Sequence, residues 1–200
     1  NDDLEVVYVN NQYDNLEVRE ISGTDISMSY EVNTEALGRF NLSINAAHLR
    51  KFMQTPDPIS AIVLEAQENG NPAVPIDIPV VGAGDLRQMN GNPKWRSFAQ
   101  LNWDLGNWGA GIRVNYIDDF YETSVTTSSG EMMPIDSWTT MDIYLDYHFS
   151  QKSLDGLSLR LGARNLANKK PPIADESFGY FSDVHSNRGR YTYATLSWAF

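Results

Sequence analysis

Apolar and polar residues alternate with a period of two through most of this chain, over segments of about ten residues. The clearest segment runs from Leu157 to Arg164: Leu157, Leu159, Leu161 and Ala163 lie on one face, and Ser158, Arg160, Gly162 and Arg164 on the other. Residues 139–149 set Met141, Ile143, Leu145, Tyr147 and Phe149 against Thr140, Asp142, Tyr144, Asp146 and His148. The same pattern covers residues 108–116 and 40–46, and the last segment alternates Ala194, Leu196, Trp198 and Phe200 with Tyr193, Thr195, Ser197 and Ala199. Weaker versions occupy residues 16–32, 95–105 and 4–10. Side chains of a β-strand point alternately to its two faces, so this spacing predicts about eight strands, and helical periodicity is nearly absent.

The connections between these segments are unequal. Short ones at 32–38, 105–107 and 150–156 alternate with long ones at 51–93, 121–137 and 168–189. An up-and-down antiparallel meander gives this order when every short turn lies at one end and every long loop at the other. The long connections are rich in Pro, Gly, Asn and Asp, as in Gln54–Pro58 and Asn69–Pro72, and read as loops.

Alternation alone does not say which face is wet. In a soluble sandwich the apolar face covers a core; in a membrane barrel it meets lipid and the polar face lines a lumen. Two details favour the barrel. The polar face carries small uncharged residues (Ser27, Ser29, Asn41, Ser43, Asn45, Gln100, Asn102, Asn115), as a hydrated interior allows. Aromatics stand where apolar runs end, at Tyr30, Phe40, Trp103, Trp108, Tyr116, Tyr147, Phe149, Trp198 and Phe200, as interfacial girdles require. No stretch reaches the roughly 18 apolar residues of a membrane-spanning helix. Residue 1 is expected to be a cut inside a longer chain, since Asn-Asp-Asp-Leu has neither an initiator Met nor a signal-like segment.

Composition excludes several functions. The net charge of −11, with 15 scattered basic residues, argues against nucleic-acid binding. With no cysteine there is neither a disulfide framework nor a thiolate metal site. His48, His148 and His185 lack metal-ligand spacing and are assigned to the lumen, loops or rim. Asp118, Asp119 and Glu122 lack the calcium-loop pattern and read as a solvated acidic rim. Asp142, Asp146 and His148 read as part of a hydrated face, and Gly82-Ala-Gly84 opens no helix that would make it a phosphate loop. No catalytic constellation, metal site or cofactor site is readable, so an enzyme is not expected.

Four stretches carry a family resemblance: Glu17–Ile26; Asn90–Arg96; Leu161–Pro172, which contains Asn-Leu-Ala-Asn-Lys-Lys-Pro-Pro; and the ending Asn187–Phe200, with Arg188-Gly189-Arg190 before the final strand and a terminal Phe200. Together they resemble, in order, the C-terminal barrel region of TonB-dependent receptors. The resemblance implies an all-β, antiparallel, up-and-down transmembrane β-barrel, of which this chain supplies about the last eight of 22 strands. The rest of that barrel would close the two open edges. Short turns would be periplasmic and long loops extracellular. The implied location is the bacterial outer membrane, with its lipid as surroundings. The implied partners are an N-terminal plug domain, TonB acting through the plug, and barrel-assembly machinery reading a C-terminal signal that includes Trp198 and Phe200. Arg188, Gly189 and Arg190 form a rim motif in which the two arginines meet acidic loops.

Under that polarity Phe120, Tyr121, Trp138, Phe178, Tyr180 and Phe181 cluster at the extracellular strand ends. They are candidates for ligand contact by stacking, with loop-on-loop packing or girdle placement as the alternative. The implied function is TonB-energised uptake of a scarce nutrient, a small molecule or oligosaccharide; the family's substrates are iron-siderophores, haem, cobalamin and oligosaccharides. A soluble or surface-exposed glycan-binding sandwich is the competing reading, and burial of the apolar face against a second sheet would favour it.

Overall fold

A computed structural model of the chain describes residues 18–76, 80 and 82–199. Seven long strands form one antiparallel meander: β1 (Arg19–Thr34), β2 (Gly38–Gln54), β4 (Trp95–Leu105), β5 (Trp108–Ile117), β8 (Trp138–His148), β9 (Leu157–Arg164) and β10 (Tyr191–Trp198), each paired with its neighbour in that order. The two-residue β3 (Gly84–Asp85) adds to the long-connection end of β2, and β6 (Phe120–Thr126) pairs with β7 (Met132–Ile135) in a separate hairpin. The strand expected over residues 4–10 and the side chain of Phe200 lie outside the described residues.

The register confirms the two faces. Asn41 pairs with Asn102, Asn102 with Gly111 and Gly111 with Tyr144, so polar-face residues line up across four strands. Leu101, Ile112 and Ile143 line up likewise on the apolar face. A slip of one residue would exchange the faces, so a buried or lipid-covered side fixes the register. Among the described residues no second sheet covers the apolar face: Leu145, Leu161 and Leu196 are 44, 49 and 67% exposed. In a sandwich these positions would be buried. The 11 residues of β4 or β8 span roughly 36 Å, which at the usual tilt near 45° covers the about 25 Å apolar band of a membrane barrel. Among the described residues the sheet is not closed on itself.

Two of the short turns use one device twice. Gly38 and Gly156 both have φ of +81°. The indole N–H of Trp103, on a neighbouring strand, donates to the Leu37 carbonyl at 2.7 Å, and that of Trp198 donates to the Asp155 carbonyl at 3.2 Å. In both places a tryptophan ties down the residue before the glycine, and the next residue's carbonyl (Asp104 or Ala199) lies against the glycine itself. On the apolar face beside these turns, Trp108 and Tyr147 pack at 4.6 Å, and Tyr147 meets Phe149 edge-on at 5.0 Å.

The long connections hold more structure than the sequence suggested. The first contains α1 (Pro58–Glu68). Asp57 caps it, accepting from the Ile59 and Ser60 amides at 2.8 and 3.0 Å and from the Ser60 hydroxyl at 2.6 Å, and Pro58 supplies a first-turn residue whose missing N–H costs nothing. The Ser60 hydrogen bonds hold the Asp57 carboxyl below the usual range. The Pro-Asp-Pro run that reads as a break is therefore a helix start. The second connection contains the β6–β7 hairpin, while the third is irregular from Asn165 to Arg190 apart from turns.

Candidate functional site

The polar face carries clusters of hydrogen-bonded side chains. Arg160 grips Asp146 through two bonds of 2.6 and 2.7 Å, and its guanidinium lies 4.3 Å from the centre of the Tyr144 ring. The Tyr144 hydroxyl donates to Asn102 Oδ1 at 2.8 Å, which also accepts from Gln100. Arg113 stacks over Phe98 at 4.2 Å and donates to Asn115. The tyrosines lie flat because glycines face them: a Cβ on Gly111 would sit 2.2 Å from the Tyr144 ring, and one on Gly162 would sit 2.4 Å from that of Tyr193. Gly111→Ala is expected to swing Tyr144 away and break its bond to Asn102, at a cost of about 1 kcal/mol because the ring end can move. Thermal unfolding of the full-length receptor, with Gly109→Ala as the milder comparison, measures this.

The Asn-Leu-Ala-Asn stretch and the Arg-Gly-Arg triplet form one joint. Asn165 and Asn168 both adopt left-handed φ, at +48° and +54°, which asparagine tolerates better than most residues. The backbone N–H of Asn165 donates to Asp142 Oδ1 at 2.8 Å, tying the joint to β8. Its side-chain amide donates to the carbonyls of Lys169 (2.9 Å) and Arg188 (3.3 Å), and its Oδ1 accepts from the Lys169 N–H at 2.8 Å. Asn168 Oδ1 accepts from the Arg190 N–H at 2.9 Å, and Gly189 packs so closely that a Cβ there would lie 2.6 Å from that oxygen. The expected meeting of Arg188 and Arg190 with acidic loops is not found among the described residues. Arg188 instead lies 5.9 Å from the Tyr191 ring centre, the Arg190 guanidinium donates to the Leu166 carbonyl at 3.5 Å, and the backbone of the triplet makes the shorter contacts, to Asn165 and Asn168. Asp142 likewise serves the joint rather than water alone.

Beyond the strand ends the three long connections pack into one cap. Phe120, Ile135, Ala174 and Phe181 form its apolar core, with Val184 against it. Phe120 meets Phe181 edge-on at 5.0 Å, and the Trp138 indole N–H donates to the Lys170 carbonyl at 3.0 Å. The first connection joins through Asn90, whose side chain donates to Thr123 Oγ1 and accepts from the Thr123 N–H at 2.7 and 2.9 Å. Backbone bonds of 2.8 Å run from Tyr121 to Gln88 and from Asn90 to Tyr121. Glu122 is 1% exposed, which corrects its assignment to a solvated rim. Its carboxylate accepts from Ser124 Oγ at 2.8 Å and from the Asp175 N–H at 2.9 Å, so it holds the third connection to the hairpin.

The cap sorts the six aromatic candidates. Phe120, Trp138 and Phe181 are enclosed and serve loop-on-loop packing. Phe178 is 73% exposed, Tyr121 is 40% exposed and Tyr180 is half-buried, so these three are the ones a ligand could reach. Trp198 is exposed at the opposite end, bound to the turn before Gly156. His48 stacks on Trp95 at 4.2 Å near the long-connection ends of β2 and β4, His148 is exposed near a short turn, and His185 is buried in the cap. Asn90, Glu122 and Asn165 are not legible as joints in the sequence, because the partners through which they join separate segments (Thr123, Asp175 and Arg188) lie 33, 53 and 23 residues away.

A family model described as TonB dependent receptor-like, beta-barrel, matches residues 1–166. Comparison with curated protein sequences gives no match. Among solved structures the chain is similar to the ferric citrate transporter FecA in its unliganded form, with a TM-score of 0.59 and 14% identity over 94% of this chain and 27% of that one. It is also similar to a mutant of the ferric enterobactin receptor PfeA from Pseudomonas aeruginosa, with a TM-score of 0.53 and 14% identity over 90% of this chain and 22% of that one. The chain thus spans about a quarter of the length of these structures, and identity this low establishes the shared fold alone.

Proposed function

Because the chain belongs to the TonB-dependent receptor-like β-barrel family, we propose that it forms part of the wall and loop cap of a TonB-energised receptor that imports a scarce nutrient across the bacterial outer membrane. Members of this family are outer-membrane receptors and transporters rather than enzymes. The observation that carries the reading is the long apolar face left uncovered by any second layer among the described residues, beside a polar face stitched by Arg160, Asp146, Tyr144 and Asn102. Hydrocarbon is the surrounding that makes the first face inexpensive, and a hydrated, plug-filled lumen suits the second.

In this reading the long connections face the medium and the short turns face the periplasm. Tyr121, Phe178 and Tyr180 offer rings to a siderophore, haem, cobalamin or oligosaccharide, while Phe120, Trp138 and Phe181 hold the platform beneath them. The N-terminal plug fills the lumen, TonB acts through it, and Trp198 and Phe200 belong to the signal read during barrel assembly. The exposed apolar face speaks against the alternative of a soluble glycan-binding sandwich.

Fractionation of cells carrying the full-length receptor tests the first part: it is expected in the outer membrane, extractable only with detergent and heat-modifiable on gels. Recovery as a soluble monomer would refute the assignment. For the second part, growth on a panel of iron chelates, haem, cobalamin and oligosaccharides is expected to reveal one nutrient whose uptake stops when TonB is deleted. Phe178→Ala combined with Tyr180→Ala should weaken uptake of that nutrient about tenfold at unchanged receptor level, the loss of about 1.4 kcal/mol of contact.

A further inference from the structure

The core of the loop cap encloses one titratable group that its surroundings do not serve. His185 is 4% exposed, and neither ring nitrogen has a hydrogen-bond partner among the described residues. Phe120 stacks on the imidazole at 5.8 Å and Trp138 meets it edge-on at 5.6 Å. Its backbone N–H bonds to the Phe181 carbonyl at 2.8 Å, so the ring is held in place by the turn that also carries Phe181. We propose that His185 is an acid-sensitive latch: the closed cap admits only the neutral ring, and protonation releases the third long connection from the β6–β7 hairpin.

The physical basis is the mismatch between a charged imidazole and this cavity. A neutral ring has one N–H and one lone pair to leave unsatisfied; a protonated ring has two N–H donors and a net charge, all enclosed by aromatic surface. Burial, and then the positive charge of Arg96 on β4, both disfavour the proton and hold the group below its ordinary value. The other charged groups on the surrounding elements offer no rescue. Glu122, on the same face of β6 as Phe120, accepts from Ser124 and the Asp175 N–H. Asp136 before β8, and Asp183 and Arg188 on the same connection as His185, are exposed and make no ion pair with it among the described residues.

The direction follows from linkage. The closed state has the lowered pKa, so the open state binds the extra proton. Closure is unaffected above the ordinary histidine value near 6.5, and is lost as pH falls below it. Between 6.5 and the lowered value, each unit of pH reduces the closed-to-open ratio about tenfold. A cap that holds ligand-facing Phe178 and Tyr180 in place at neutral pH therefore loosens in mildly acidic surroundings. The latch itself requires only the packing of the cap; the link to ligand capture rests on the outward polarity proposed above.

Hydrogen–deuterium exchange on the full-length detergent-solubilised receptor, corrected for intrinsic rates, tests it near pH 5 and near pH 7.5, on either side of the histidine range. Peptides covering residues 172–186 are expected to exchange faster at the lower pH, by up to about thirtyfold, the ceiling set by the distance from about 6.5 to about 5, while a β5 peptide stays unchanged. In His185→Phe the pH step should vanish. Equal protection of residues 172–186 at both pH values in the unaltered receptor, or a pH step that survives in His185→Phe, overturns the latch. Should the larger ring keep the cap open throughout, His185→Gln takes its place: a pH-independent cap supports the proposal and a persisting step refutes it. None of these readouts involves nutrient or TonB. Failure of the latch is thus distinguishable from failure of the transport reading, which fractionation and uptake decide.

Discussion

Replacing Gly38 or Gly156 with alanine is expected to remove most of the folded receptor from the outer membrane, at a cost of about 3 kcal/mol or more at each site. Two penalties coincide. Both residues sit at φ +81°, and a left-handed conformation costs an ordinary residue roughly 1–2 kcal/mol. In addition the new Cβ would stand 2.1 Å from a backbone oxygen, that of Asp104 for Gly38 and that of Ala199 for Gly156. No flexible side chain is there to swing aside, so relief requires the turn to part from the neighbouring strand. That movement breaks the indole bonds of Trp103 and Trp198 to these turns. Gly106 and Gly130 separate the two penalties, because they share positive φ but a Cβ would meet nothing within 4 Å. Alanine there should cost only about 1–2 kcal/mol. The heat-modifiable fraction of full-length receptor in outer membranes measures both pairs, and Gly38→Ala folding to the unaltered level would show that this turn is not packed as described.

How far the fold was readable follows from the range of the interactions involved. Strands were legible because alternation is local: Leu157, Leu159 and Leu161 announce both the strand and its apolar face without reference to any other segment. The short turns were legible because the alternation stops and restarts within a few residues. α1 was missed because its start, Asp57-Pro58, contains the residue types that also break strands, and only the capping geometry separates the two. Glu122 was misread for a different reason. Asp118, Asp119 and Glu122 look like a hydrated run, but Phe120 and Glu122 share a face of β6, and that face is covered by residues 174–185. The flat tyrosines escaped notice because Gly111 and Gly162 look like ordinary small polar-face residues until Tyr144 and Tyr193 are laid over them. Of the six aromatic candidates, the sequence placed the group at one end of the barrel, whereas only tertiary packing divides enclosed Phe120, Trp138 and Phe181 from accessible Phe178.

Asn165→Leu should be about as damaging as the turn substitutions, but its effect is expected to fall on the cap first. The side-chain amide of Asn165 serves three backbone groups, the carbonyls of Lys169 and Arg188 and the N–H of Lys169, in a site only 6% exposed. Leucine satisfies none of them, and each buried group left without a partner costs about 1–3 kcal/mol. The left-handed φ of +48° adds a penalty that asparagine largely avoids. The sum, about 3–5 kcal/mol, lies within the joint that ties residues 165–190 to the wall through Asp142. Limited proteolysis of the full-length receptor is expected to cut residues 168–189 in the variant while β4, β5 and β8 stay protected, since their pairing does not pass through Asn165. Asn165→Gly tests the division of causes: it removes the backbone penalty but not the lost bonds, so its damage should be smaller yet still confined to the same segment. Asn165→Asp keeps the acceptor for Lys169 but turns a second oxygen toward two carbonyls, so it should behave like leucine rather than like asparagine. Equal resistance of Asn165→Leu and the unaltered receptor would mean that the prolines at 171 and 172 and the Gly189–Asn168 contact hold the segment without it.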